Sequence, residues 1–144
     1  FLLLTILFII AGLSSCSTEF KSINYDVDQC ASCKMIISDK RFGAELVTKK
    51  GKVFKYDAVE CLFRELALEG SDKYARIGVT HFNSPSKLQD GFASFYLVSP
   101  NRPSPMGGNL SCYSSREKVE HLVSELGGFI YDFEGLLNMY IDEL

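Results

Sequence analysis

The sequence predicts an α+β fold of two β-β-α-β repeats packed together, followed by a C-terminal helix. Three observations carry this. First, two segments show the same order of signals 57 residues apart: Gly51 to Glu60 running on to Gly70, and Gly108 to Glu117 running on to Gly127. Second, each segment passes from a β-like run ending at Tyr56 or Tyr113 into a capping-box pattern. Asp57 or Ser114 stands as the cap, with Glu60 or Glu117 three residues on. Third, an apolar stripe follows each cap at helical spacing: Val59, Leu62, Phe63 and Leu66, then Val119, Leu122, Val123 and Leu126. A unit this small buries little on its own, so the two are expected to share a core.

The chain has 144 residues and a formal net charge of −3, with acids and bases mixed throughout. Nothing resembles a basic phosphate-binding stripe, which excludes nucleic acid as a natural partner. Residues 1–15 read as a lipoprotein-type signal peptide. Phe1 to Leu13 is apolar for roughly a dozen residues, too short to span a bilayer but suited to a signal-peptide core. The chain opens on Phe1 rather than Met, and this leader is expected to begin earlier. Leu13-Ser14-Ser15-Cys16 is similar to a lipoprotein cleavage box, which implies lipid on Cys16. Each buried CH₂ of such a lipid contributes about 0.8 kcal/mol to anchoring. The expected location is the cell envelope, facing the periplasm or exterior. Ser17 after the anchored Cys points to an outer membrane.

Residues 16–29 then form a flexible, lipid-anchored arm. The first unit, 30–82, holds strands at Gly43–Thr48 and up to Tyr56, a helix ended by Gly70, and a strand from Tyr74 to Phe82. Residues 83–90, with Pro85 among them, are a connector. The second unit, 91–144, begins with a strand from Gly91 to Val98. Its helix is ended by Gly127, and a strand follows from Phe129 to Phe133. The terminal helix spans Glu134 to Leu144, with Leu136, Leu137, Tyr140 and Ile141 inward. Gly70 and Gly127 stand where positive-φ helix ends are wanted. The second hairpin loop, Ser99 to Gly108, is longer than a hairpin needs and contains three prolines. It displays Met106 on a stiff mount.

The chemistry concentrates in Cys30-Ala-Ser-Cys33-Lys-Met35. Two thiols and a thioether in six residues form a soft donor set, and soft sulfur selects Cu(I). The candidate ligands are Cys33, Met35 and Met106, with Cys30 as a further sulfur and His81 as a strand-end candidate. Cys61 on the first helix and Cys112 on a strand read as buried small hydrophobes. His121 reads as solvated, and Asp57 as a helix cap. A c-type haem would need His after Cys33, where Lys34 stands. A structural zinc site would want a second CxxC pair. No GxSxG, HExxH or Walker loop is present, so no catalytic constellation emerges. Two rival readings stay open: a membrane-anchored thiol–disulfide oxidoreductase using Cys30 and Cys33, and a structural lipoprotein stapled by Cys30–Cys33 and Cys61–Cys112 disulfides.

These residues resemble the NosL family, the copper chaperone lipoproteins of nitrous oxide reductase assembly. The matching features are the Cys16 lipobox, Cys30-x-x-Cys33-Lys-Met35-Ile, Arg41-Phe-Gly-Ala-Glu45, Gly51-Lys-Val-Phe-Lys-Tyr-Asp57, Cys61, and Ser104-Pro-Met106-Gly-Gly108. The resemblance implies a fold similar to that of organomercurial lyase, without its chemistry. It implies a non-enzymatic Cu(I) metallochaperone of denitrification. The partners it implies are the copper ion, an exported copper-enzyme client (nitrous oxide reductase) and a lipid membrane; a homodimer is a further expectation. Carried over, Cys33, Met35 and Met106 are the implied ligands, with Cys30 and His81 after them. Ala58 stands where the family often has a second Asp, which weakens the case for a second metal held by carboxylates.

Overall fold

The computed structural model describes residues 17–144. The leader and the Cys16 anchor lie outside the described residues. Seven strands and three α-helices follow: β1 Ala44–Thr48, β2 Val53–Tyr56, α1 Val59–Glu69, β3 Tyr74–Thr80, β4 Leu88–Asp90, β5 Phe95–Val98, β6 Leu110–Tyr113, α2 Arg116–Leu126, β7 Phe129–Tyr131 and α3 Phe133–Asp142. The two β-β-α-β units are there, in order β1-β2-α1-β3 and β5-β6-α2-β7.

The sheets repeat the same topology. The first runs β2-β1-β3-β4 and the second β6-β5-β7, each with its first strand flanked by the second and third of its unit. All pairings are antiparallel. β4 is the addition: the connector supplies an edge strand, pairing Gly78 with Asp90 and Thr80 with Leu88. The strand expected over Gly91–Val98 is shortened to β5. The Asp90 carboxylate accepts the Phe92 N–H at 2.9 Å, and the Ser94 N–H donates to Gly91 O, so the chain turns there before it can extend.

The helix starts also differ from the expected boxes. Ala58, not Asp57, is the N-cap of α1, and no side chain caps it. Ser115, not Ser114, caps α2, accepting from the Lys118 N–H. Asp132 caps α3 through the Gly135 N–H at 2.8 Å, which ends β7 at Tyr131 and starts the helix one residue early. Both predicted glycine stops hold, with φ of +85° at Gly70 and +69° at Gly127.

The first stripe is fully buried, and α1 packs against β1, β2, β6 and α3. It thereby joins the two units in one core. Phe63 is its hub, with ring centroids 5.1 Å from Tyr96, 5.3 Å from Phe133 and 5.9 Å from Tyr140. The second sheet uses both faces, as a two-residue side-chain period allows. Tyr96, Leu110 and Cys112 join the large core, while Leu97 and Tyr113 form a smaller one with Val119 beneath α2. Leu122, Val123 and Leu126 are only partly covered there. In α3, Leu136, Leu137 and Tyr140 are buried as expected, but Ile141 is exposed because it lies beyond the face that meets α1.

The arm over residues 17–29, expected to be flexible, is laid along the first sheet. The Lys21 N–H donates to Glu45 Oε1 at 2.7 Å, and Lys55 Nζ bridges Ser22 O and Asp28 Oδ2. Phe20 lies against Gly78, where a Cβ would come within 2.7 Å of its ring, and Arg76 stacks on its face. No helix of the described residues is long and apolar enough to cross a membrane.

Truncating the hub should expose how much the two units depend on α1. Phe63→Ala is expected to lower unfolding free energy by about 3–5 kcal/mol. Urea denaturation measures it; a loss below about 1 kcal/mol would show that the shared core is not the source of stability.

Candidate metal centre

The cysteine segment folds into a tight knuckle. The Cys30 N–H donates to Met35 O at 2.8 Å, the Lys34 N–H donates to Cys30 O at 3.1 Å, and Gln29 bridges Ile36. Lys34 has a φ of +67°, a left-handed conformation that a side chain adopts only when its surroundings require it. That turn points the backbone N–H groups at sulfur. The Ser32 and Cys33 N–H groups lie near enough to Cys30 Sγ, and the Met35 N–H near enough to Cys33 Sγ, to favour the thiolate form.

Two further groups reach this knuckle from the start of α1. The Asp57 backbone N–H and the Cys61 thiol both stand close to Cys30 Sγ and favour its thiolate form. The Sγ atoms of Cys30, Cys33 and Cys61 all lie within 4.8 Å of one another. Metal–sulfur bonds of about 2.3 Å place two sulfurs on one ion roughly 3.8–4.6 Å apart. The three thiols are therefore at, or a small contraction from, the spacing a single soft ion imposes.

The electrostatics favour a thiolate. The Cys61 thiol, followed by the backbone donors, holds the Cys30 thiol well below its ordinary range. The same contact, with burial, pushes the Cys61 thiol up, and burial raises the Cys33 thiol. The positive end of the α1 dipole adds to the pull on negative sulfur. Asp57 lies alongside: its carboxyl, raised mainly by burial, accepts from the Ser38 N–H and leaves Oδ1 without a partner. It does not take its expected role as a cap, since Ala58 is the N-cap of α1.

The other sequence-derived candidates are placed differently. Met35 is 53% exposed, two residues after Cys33 on the rim of the knuckle. Met106 is half-buried and lines a cleft with Glu60, Arg64, Met139, Tyr140 and Glu143. Its loop is tied down through Glu60: the Ser104 hydroxyl donates to Glu60 Oε1, and the Leu110 N–H donates to Ser104 Oγ at 3.3 Å. Gly108 permits that closure, because a Cβ there would lie 2.5 Å from Glu60 Cγ. Glu60 precedes Cys61, so one helical turn carries the third thiol and anchors the Met106 loop. His81 stands outside the thiol group; its Nε2 is 2.8 Å from Ser94 Oγ, and burial lowers its pKa.

Cys61 is the site residue that the sequence reading set aside. All four cysteines of the described residues are free thiols, so neither disulfide of the rival structural reading is formed. Cys112 is apart from the cluster, buried in β6 with its thiol pushed up by burial.

Exposure ranks these thiols. Brief iodoacetamide treatment of the native protein, read by peptide mass spectrometry, should modify Cys33 well before the buried Cys30, Cys61 and Cys112. Early labelling of Cys61 would contradict the packing of the cluster.

Comparison with known proteins agrees with this architecture. The NosL family model matches residues 23–141. No curated protein sequence matches the chain. Among solved structures, the copper chaperone NosL from Shewanella denitrificans superposes with a TM-score of 0.72 at 21% identity, over 82% of this chain and 95% of that one. At that identity the superposition speaks for the fold. With the family match extending from the arm to α3, the chain belongs to the NosL family.

Proposed function

We propose that this protein is a Cu(I)-binding metallochaperone without enzymatic activity, holding its ion on Cys30, Cys33 and Cys61. The observation that carries this is the convergence of three thiols within 4.8 Å, with backbone N–H groups already aimed at sulfur. Thiolates bind Cu(I) in preference to harder ions, and three donors satisfy it, whereas zinc would seek a fourth. Exposed Met35 is suited to cover the ion from the rim. Met106, on the loop anchored beside Cys61, supplies a second thioether. Thioethers need no deprotonation and bind weakly, so a mixed set can release its cargo. His81, engaged with Ser94, is not needed in this ligand set.

The destination follows from the family. The client is a copper enzyme outside the cytoplasm, nitrous oxide reductase, and the protein is anchored there by lipid on Cys16. A copper chaperone is what the solved relative from Shewanella denitrificans is named. The rival thiol–disulfide enzyme fits less well. Such a centre attacks with an accessible low-pKa thiol, yet here the lowered thiol, Cys30, is fully buried.

Anaerobic titration with Cu(I) against a chromophoric chelator tests the ligand set. The full chain should bind its tightest equivalent at the thiols. Cys61→Ser should weaken that equivalent by about tenfold or more, near 1.4 kcal/mol, while Cys112→Ala leaves it unchanged. Equal affinities in wild type and Cys61→Ser would remove Cys61 from the site.

A further inference from the structure

The Met106 cleft has features that the thiol centre does not use. It has a volume of about 360 Å³ and draws on four parts of the chain: the first two turns of α1, the end of β5, the loop before β6, and the end of α3. Two of the three methionines in the protein line it, Met106 and Met139. So does Glu60, only 2% exposed, whose Oε2 has no hydrogen-bond partner. A buried carboxylate oxygen without a donor is destabilising, and such a cost persists where a ligand can relieve it. Glu143 and Arg64 complete the charged lining.

We propose that Met106, Met139 and Glu60 form a second, weaker Cu(I) station beside the thiol centre. Two thioethers supply soft donors that need lose no proton, and one carboxylate oxygen supplies charge. A soft cation matches the two thioethers, whereas Ca²⁺ or Mg²⁺ would demand more oxygens. Met106 is the donor common to both sites. Glu60 and Cys61 are consecutive on α1, so one helical turn carries a donor of each site. The thioether station is where copper enters or leaves, and the thiols are where it is kept. No bond is made or broken beyond ligand exchange, and copper stays Cu(I) throughout. This inference rests on the copper-binding reading, but its test separates the two.

The experiment is an anaerobic titration of the full chain with Cu(I) alone, supplied as its acetonitrile complex, against a strong and then a weak chelator. The wild type should take one equivalent from the strong competitor and a second only from the weak one. Met139→Leu keeps volume while removing sulfur, a change that cores tolerate well. It should weaken the second equivalent by about tenfold or more and leave the first unchanged. Cys61→Ser should do the reverse. Selenium-edge absorption on selenomethionine-labelled Met35→Leu protein, which retains only Met106 and Met139, should show more copper bonded to selenium after the second equivalent than after the first. A single equivalent in the wild type, an unaffected second equivalent in Met139→Leu, or selenium without a copper neighbour would overturn the station and leave the thiol site standing. Loss of the first equivalent alone would instead remove the thiol reading.

Discussion

The structure depends on one crowded stretch, Asp57 to Cys61 at the start of α1. Its backbone and side chains are shared among jobs that usually belong to different parts of a protein. The Asp57 N–H stands close to the Cys30 sulfur, Cys61 brings the third thiol, and Glu60 holds the base of the Met106 loop. Val59, Leu62 and Phe63 bury the same turns into the core. Because α1 is the element both units pack against, the positions of the sulfurs are fixed by the core itself. Moving the site would mean opening the shared interior.

The repeat makes this arrangement possible and also shows where the units diverge. Each unit wraps a three-stranded antiparallel set with its own helix. The first unit buries its helix completely and places sulfur at its start. The second leaves α2 half-covered and puts its departure in the hairpin loop, where proline and glycine present Met106. The candidate ligands thus come from both units, which α1 joins. The buried carboxylates of Asp57 and Glu60 each retain an oxygen without a donor, in the region where a cation would be welcome.

The architecture was legible because its signals are local. Helical stripes, positive-φ glycines and the repeat spacing all operate within a few residues, and all hold. The cap positions slipped by one residue because a capping box records which groups can cap, not which have other partners. The Asp57 side chain stands one residue before the cap position that Ala58 takes, and Ser115 was as able as Ser114. The knuckle was legible from its spacing, but Cys61 was not. A cysteine beside an apolar stripe announces burial without naming its neighbour. One signal was present: the matching position of the second repeat, 57 residues on, is Lys118. A thiol that breaks a repeat just inside a helix N-terminus is a candidate for chemistry. The pinned arm was equally hidden, since Glu45 binding the Lys21 N–H is a long-range contact with no pattern in the chain.

The central claim is that three thiols from two separate segments bind one copper ion. Copper-edge X-ray absorption on the full chain, loaded anaerobically with a single equivalent of Cu(I), tests this most directly. The account predicts a first shell made only of sulfur, with one scatterer lost when Cys61 is replaced by serine. A shell dominated by nitrogen or oxygen, or a sulfur shell indifferent to that replacement, would contradict it.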